Sequence, residues 1–167
     1  MLEGRAGVRE HGEMALAPVT PDDVDDVRAF LRDADLTLAG LDAPSVRLWV
    51  DRDADGVIVG STGFELSRDG AHALIRSVAV SDGRRAAGAG TRLARFALAE
   101  AEAAGATRAW LFSRRSGPFW QKLGFVAADR HELAAVLPET QQVRLFVETG
   151  QLEREVAWSR ELGGSVG

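Results

Sequence analysis

The chain has 167 residues, enough for one domain with a substantial core, and its composition of 46% hydrophobic and 27% charged residues is ordinary for a folded protein. Its formal net charge of −5 argues against a nucleic-acid partner, which usually needs a basic face, but allows a local basic pocket for an anion. The sequence has no cysteine, so disulfides and thiolate nucleophiles are excluded, and its 3 scattered histidines lead us to expect no metal site.

The N-terminus is predicted to be a disordered leader over residues 1–13, followed by a single domain over residues 14–167. No apolar run has the length needed to cross a bilayer, and the N-terminus lacks the basic-then-apolar pattern of a secretory signal. A cytoplasmic protein with no membrane partner is therefore expected.

The first half of the domain is predicted to be a short strand and a helix, followed by three strands. Thr20 is the expected helix cap, Pro21 fits the first helical position, and Asp23 stands where a capping-box acid belongs. The apolar positions of this helix share one face: Val24, Val27, Phe30 and Leu31. The tight-turn signals "ADG" and "RDG" join the three strands, residues 45–53, 57–67 and 71–80. Such short connections predict an antiparallel meander.

The second half alternates helices and strands. A helix is predicted from Gly90 to Ala104, closed by Gly105, with one apolar side made of Leu93, Ala97, Ala101 and Ala104. The following pattern indicates a strand, a short helix, a strand start, two helical pieces around Pro138 and a last strand, "REVAWSREL". A strand, helix and strand in succession imply a parallel, right-handed crossover. The prediction is an α/β protein with a mixed sheet.

The stretch "SVAVSDGRRAAGAG", Ser77 to Gly90, runs from an apolar strand into a tract of small residues at a helix start. Unpaired backbone N–H groups at a helix N-terminus attract anions, so this tract is a candidate phosphate site, with simple turn formation as the alternative. A P-loop is set aside because no Gly-Lys-Ser/Thr ending follows Gly90. A dinucleotide fingerprint is set aside because the third glycine is missing.

The segment R-x-x-G-x-G, Arg85 to Gly90, resembles the acyl-CoA-binding motif of the GNAT N-acetyltransferase superfamily. The segment "FWQKLGF", Phe119 to Phe125, is similar to the "F-Y-x-K-L-G-F" segment common in that superfamily. The resemblance extends from about Met14 to Leu162. It implies the GNAT fold, an α/β architecture in which a mixed central sheet has an antiparallel N-terminal meander and a parallel, splayed pair, flanked by helices.

The resemblance also implies acetyl-CoA as co-substrate, with no metal. Backbone groups of the motif would hold the CoA pyrophosphate, and the edge of the preceding strand would pair with the pantetheine arm. A backbone N–H near Val78 would polarise the thioester carbonyl and stabilise the oxyanion. The implied cofactor-binding residues are Val78, Ala79, Val80, Arg85, Ala86, Ala87, Gly88, Ala89, Gly90 and Thr91.

One position departs from the family pattern. Many GNAT enzymes place a tyrosine four residues before the glycine of "LGF" to protonate the departing thiolate, and this chain has Trp120 there and no tyrosine at all. An indole N–H is not a usable acid, although water can protonate a CoA thiolate. Ser113 replaces an asparagine often found seven residues before that tyrosine and is a candidate catalytic residue.

A narrower resemblance concerns the acceptor. "IRSVAV", Ile75 to Val80, is similar to the "RSLAV" strand of amino-acid N-acetyltransferases of the N-acetylglutamate synthase type and to arsenic-resistance GNATs. "SRRSGPFWQKLGF" is similar to their "TTR[ST]xxWFxxxGF", and "LPET", Leu137 to Thr140, to their "LPE" segment. The match implies substrate-binding roles for Arg76, Arg115 and Ser116. Guanidinium groups suit a carboxylate, though this pair would equally suit the 3′-phosphate of CoA.

The amine must lose a proton, and an efficient base has a pKa near the working pH. Glu65 on the strand before the motif strand and His131 after "LGF" are the candidate bases, with water as the alternative and a solvated or structural role as the competing interpretation of each.

These observations predict an N-acetyltransferase that moves an acetyl group to a primary amine, on an amino acid or another small carboxylate-bearing molecule. An enzyme acting on a drug, polyamine or protein N-terminus is an alternative; a cationic acceptor would need acids where Arg76 and Arg115 stand. A non-catalytic acyl-CoA sensor or scaffold is the other, because the acid tyrosine is missing. An RNA-acetylating toxin fits the acidic charge poorly. A homodimer packed through the last strand is a further expectation.

Overall fold

A computed structural model gives the structure of the protein and describes residues 15–83 and 88–163. The predicted leader, residues 1–13, and the motif residues Arg85, Ala86 and Ala87 lie outside these ranges. The strands are β1 (Leu16–Pro18), β2 (Val46–Arg52), β3 (Ile58–Leu66), β4 (His72–Val80), β5 (Arg108–Phe112), β6 (Val126–Ala128) and β7 (Ala157–Glu161). The helices are α1 (Val24–Asp33), α2 (Ala89–Ala103), α3 (Gly117–Lys122), α4 (Arg130–Val136) and α5 (Gln141–Thr149), with single 3₁₀ turns at Pro21–Asp23 and Gln151–Arg154.

The seven strands form one mixed sheet in the order β1-β2-β3-β4-β5-β7-β6. β4 and β5 are parallel, as the crossover through α2 predicts, and β7 is antiparallel to both β5 and β6. The predicted α/β class with a mixed sheet and flanking helices is therefore confirmed. The sequence did not indicate that the last strand inserts between β5 and β6. β7 pairs with β5 on one side and with β6 on the other, and the homodimer stays a prediction.

The chain divides into two compact units. The first consists of the chain up to Gly63 together with Ser77–Ala97, and the second consists of Phe64–Arg76 together with the chain from Leu98 onward. The first unit has an apolar core in which α1 contributes Val27 and Leu31. Its remaining buried members are Leu41, Leu48, Val50, Ile58 and Ala79. The core of the second unit is formed by Leu74, Trp110, Leu133, Leu137, Val143 and Ala157. The single domain over 14–167 stays a prediction.

Local signals set the helix boundaries. The backbone N–H of Thr20 donates to Asp23 at 2.8 Å, so the acid acts at the predicted capping position, although a 3₁₀ turn precedes α1. The predicted apolar side of α2 is buried at Leu93, Ala97 and Ala101. Ala104 is an exception, since it lies after the last residue of the helix and is exposed. Within the described residues, no helix has the length and hydropathy to cross a bilayer.

Close packing of β2 on β3 leads to a first testable prediction. A Cβ added at Gly63 would overlap the carbonyl oxygen of Arg47 and a methyl carbon of Leu48, and would lie 3.2 Å from the Leu48 Cα. Because two of these three atoms belong to the backbone, Gly63→Ala is expected to lower the free energy of unfolding by about 1–3 kcal/mol. Urea unfolding measures this loss. Gly83→Ala is the matched control, since nothing lies within 4 Å of a Cβ at Gly83; equal losses in the two variants would contradict the packing argument.

Candidate active site

The turn into α2 is the part of the predicted phosphate site that the structure describes. Gly88 has φ 75°, a left-handed conformation that glycine adopts without strain, and Ala89 begins the helix. The N–H of Arg92 donates to the Gly88 carbonyl at 3.2 Å. The N–H groups of residues 89–91 precede that first helical bond, at positions where a helix supplies no acceptor of its own. These donors are therefore placed to bind an external acceptor.

The charge distribution of this first turn also suits an anion. The first turn of α2, as far as it is described, contains no acidic residue, whereas the first turn of α1 contains Asp25 and Asp26. Carboxylates in a first turn stabilise a helix through its dipole and would repel a bound phosphate. The positive end of α2 is thus left to a ligand, while that of α1 is neutralised by its own side chains.

The strand that leads to this turn is distorted at Ser77. This residue has φ 62°, which is rare for any residue other than glycine, and it is only 8% exposed. The hydroxyl of Ser61, on β3, donates to the Ser77 carbonyl at 2.6 Å. A left-handed residue within a strand is the mark of a β-bulge, a feature that re-aims backbone groups beside active sites.

The parallel pairing of β4 with β5 is short. The ladder joins His72 to Arg108, Ala73 to Ala109 and Leu74 to Trp110. In the described residues it ends there, although β4 continues through residues 75–76 and β5 through residues 111–112. The end of β5 pairs only with β7, through Leu111 and Phe112. The parallel pairing therefore covers only the first three residues of each strand, and the splay of this pair stays a prediction.

A buried ion pair lies two residues beyond the last paired residue of β4. Arg76 on β4 donates to Glu65 on β3 across 2.9 Å, and their side chains are 0% and 1% exposed. The Glu65 carboxylate also accepts the backbone N–H of Gln141 at 2.6 Å and that of Gln142 at 3.3 Å. Glu65 therefore caps the N-terminus of α5 and neutralises Arg76. Burial lowers the pKa of Arg76 below its usual value, and the attraction of Glu65 opposes that shift.

The loop after β5 carries the other predicted acceptor residues. The Ser113 hydroxyl accepts the N–H of Ser116 at 3.0 Å, and the Ser113 carbonyl accepts the indole N–H of Trp158 at 3.0 Å. Arg114 approaches Glu155 at 3.5 Å. Arg115 and Ser116 are exposed. Ser113 thus holds the loop in shape, and the loop presents Arg115 to solvent.

Trp120 and His131 occupy different surroundings. Trp120 is 7% exposed and makes edge-on contacts with Phe119 and Phe125, with ring centroids 4.9 and 5.4 Å away. His131 lies in the first turn of α4, and its ring approaches Glu153 at 3.5 Å. Its backbone N–H donates to Asp129, which caps the helix, and this bond lowers the pKa of the Asp129 carboxyl below its usual value. In residues 15–83 and 88–163, no group of side chains is arranged to hold a metal ion.

A sequence model described as the Acetyltransferase (GNAT) family matches residues 13–125, well over half of the chain. The chain belongs to this family. It is therefore a GNAT acetyltransferase, as the motifs Arg85 to Gly90 and Phe119 to Phe125 predict. No curated protein sequence gives a significant match to this acetyltransferase.

Solved structures of GNAT proteins have the same fold at low sequence identity. A GNAT-family acetyltransferase from Staphylococcus aureus Mu50 has a TM-score of 0.66 at 13% identity, covering 88% of this chain and 99% of that one. N-acetylglutamate synthase from Neisseria gonorrhoeae, complexed with coenzyme A and N-acetylglutamate, has a TM-score of 0.63 at 16% identity, covering 88% of this chain and 35% of that one. Rv2747 from Mycobacterium tuberculosis, in complex with CoA, has a TM-score of 0.64 at 14% identity, covering 88% and 98%.

The structure brings some of the predicted residues of this acetyltransferase together and separates others. Glu65 and Arg76, predicted as base and acceptor ligand, bind each other. Ser113 and Ser116 share a hydrogen bond, and His131 contacts neither pair in the described hydrogen bonds and ion pairs. The roles of all these residues stay predictions. Sequence reasoning overlooked Ser61, because a small polar residue in a strand carries no local sign that its hydroxyl binds a carbonyl 16 residues away.

Proposed function

We propose that this GNAT chain transfers the acetyl group of acetyl-CoA to the primary amine of an amino acid or another small molecule that carries a carboxylate. The observation that carries the donor part is the first turn of α2, where a left-handed Gly88 and the donors of residues 89–91 meet no acidic side chain. Pyrophosphate is the anion that the family places at this turn. The two structures of similar fold that were solved with CoA, N-acetylglutamate synthase and Rv2747, support the same donor.

Transfer proceeds by attack of the neutral amine on the thioester carbonyl. The carbon–nitrogen bond forms, negative charge develops on the carbonyl oxygen, and the N–H of Val78 stabilises it. The attacking nitrogen loses a proton to solvent water, the carbon–sulfur bond breaks, and CoA leaves as a thiolate. Trp120 provides no acid, so solvent protonates the thiolate.

Arg115 is the acceptor residue that the structure favours within this proposal. Its side chain is exposed on a loop held by Ser113, whereas the Arg76 guanidinium is buried against Glu65. A carboxylate would reach Arg115 without breaking an existing buried pair. N-acetylglutamate synthase from Neisseria gonorrhoeae, which has a similar fold and was solved with N-acetylglutamate, supports an acceptor that carries a carboxylate.

Arg115→Ala is expected to raise the KM for an amino-acid acceptor about 10- to 100-fold, since hydrogen bonds to a charged group contribute about 1.5–3 kcal/mol. The KM for acetyl-CoA should stay unchanged. Steady-state kinetics with L-glutamate measures both constants. Arg144→Ala, which removes an exposed arginine from α5, is the matched control. A parallel rise in the KM for acetyl-CoA would instead place Arg115 at the 3′-phosphate of CoA.

The function itself is tested by incubating the protein with acetyl-CoA and a panel of amines, with mass spectrometry of the amide product. A thiol reagent follows CoA release, and the chain contributes no background because it contains 0 cysteines. L-Glutamate should be acetylated and its dimethyl ester, which lacks both carboxylates, should not. Preferential acetylation of spermidine would overturn the proposed acceptor.

A non-catalytic acyl-CoA sensor is the second candidate, and the packing of Trp120 favours it. Trp120 stands at the position of the family's acidic tyrosine, and its indole is buried in contact with the rings of Phe119 and Phe125. Micromolar binding of acetyl-CoA without any amide product across the panel would establish the sensor. Product formation on any amine would exclude it.

A further inference from the structure

Two neighbouring hydroxyl groups on β3 are buried, and each donates to a backbone carbonyl. Ser61 is 1% exposed and donates to Ser77 at 2.6 Å, and Thr62 is 0% exposed and donates to Leu93 at 2.8 Å. The Leu93 carbonyl belongs to regular helix, whereas Ser77 has the left-handed φ of 62°. The Ser61 bond therefore holds a carbonyl at a position of unusual backbone conformation.

The direction of that carbonyl fixes the direction of the next N–H. The peptide that joins Ser77 to Val78 is trans, and the C=O and N–H of a trans peptide point in opposite directions. Since the Ser77 carbonyl points at the Ser61 hydroxyl, the N–H of Val78 points away from it. A rotation of this single peptide would change the aim of the N–H.

We infer that Ser61 is a positioning residue for the transfer reaction: its hydroxyl anchors the Ser77 carbonyl and thereby aims the Val78 N–H at the thioester oxygen. This inference rests on the proposed function, in which that N–H stabilises the oxyanion. Ser61 touches no reacting atom itself. The distorted conformation of Ser77 makes the anchor necessary, because a residue with a side chain has no intrinsic preference for φ 62°.

The matched control is the adjacent residue. Thr62→Val removes a hydroxyl that is as buried as that of Ser61 and that likewise binds a backbone carbonyl, without loss of side-chain volume. A purely structural role for both hydroxyls predicts similar defects in Ser61→Ala and Thr62→Val. A positioning role for Ser61 predicts that only Ser61→Ala changes the polarisation of the bound thioester.

The test is difference infrared spectroscopy of [1-¹³C]acetyl-CoA bound to the wild type, Ser61→Ala and Thr62→Val. A donor to the thioester oxygen lowers its carbonyl stretching frequency. The expected result is a shift to lower wavenumber in the wild type and in Thr62→Val, and the loss of most of that shift in Ser61→Ala. Once an amine that the protein acetylates has been identified, kcat of Ser61→Ala should fall about tenfold or more, with an unchanged KM for acetyl-CoA. Complete loss of an oxyanion donor typically lowers kcat roughly 100- to 1000-fold, and the expected effect is part of that loss.

The outcomes separate the inference from the proposed function. An equal shift in wild type and Ser61→Ala, with acetyl-CoA bound to both, overturns the role of Ser61 alone. Failure of the wild type to bind acetyl-CoA overturns the proposed function and the inference with it. If Ser61→Ala does not fold, Ser61→Cys, which keeps a weak S–H donor, replaces it. An intermediate shift in that variant supports the inference and a wild-type shift overturns it.

Discussion

Glu65→Ala is expected to lower the free energy of unfolding by about 3–5 kcal/mol, because it removes the carboxylate that is paired with the buried cation of Arg76. The Arg76 side chain is 0% exposed, so water does not replace the lost carboxylate. The same substitution removes the acceptor for the first backbone N–H groups of α5. Urea unfolding followed by circular dichroism measures the loss.

The matched control is an ion pair of the same chemistry at the surface. Arg68 and Glu139 also form an ion pair, but their side chains are 83% and 49% exposed. Exposed pairs contribute about 0–1 kcal/mol, so Glu139→Ala should leave the free energy of unfolding within that range of the wild type. A loss in Glu65→Ala as small as that in Glu139→Ala would contradict a large contribution of the buried ion pair to stability.

Gly88→Asp is expected to weaken acetyl-CoA binding about 100-fold or more. The substitution adds a negative charge where the pyrophosphate is proposed to bind and opposes the left-handed φ of 75° that presents the donors of the turn. Loss of two hydrogen bonds to a charged group accounts for about 3 kcal/mol, which is a factor of about 100 in the dissociation constant. Isothermal titration calorimetry with acetyl-CoA measures it.

Gly70→Asp separates the ligand effect from the backbone effect. Gly70 lies in the turn between β3 and β4 with φ 78°, almost the same conformation, and a Cβ there meets nothing within 4 Å. Both variants should lose similar folding free energy, and only Gly88→Asp should lose affinity. Wild-type affinity in Gly88→Asp would remove the turn into α2 from the donor site.

The elements that local chemistry specifies were predictable from the sequence. The cap at Thr20, the tight turns of the meander and the glycine that ends α2 all act between residues close in the chain, and each appears in the structure near its predicted place. The crossover pattern added the parallel pair of β4 and β5. The turn at Gly88 was predictable because glycine readily adopts a positive φ and a tract of small residues directly precedes the helix. Such a tract leaves the backbone N–H groups at the helix start open to a ligand.

The features that depend on distant partners were not predictable. Glu65 and Arg76 looked like two independent functional residues, and nothing in either strand indicates that they bind each other or that Glu65 caps a helix 76 residues later. The place of β7 between β5 and β6 is likewise decided by pairing across the sheet. The left-handed Ser77 was not predictable either, because serine, unlike glycine, gives no sign of a positive φ.

Glu65 both pairs with Arg76 and caps α5, so substitutions at positions 65 and 76 are expected to have different consequences. In many proteins a buried pair can be exchanged as a unit for two apolar side chains of similar volume. Here that exchange would still leave the first N–H groups of α5 without the acceptor that Glu65 supplies. Another cationic side chain can therefore take the place of Arg76 while the carboxylate remains, whereas the carboxylate itself has almost no substitute. Relatives that diverge at this pair are expected to change the residue at position 76 first and to keep an acid at position 65.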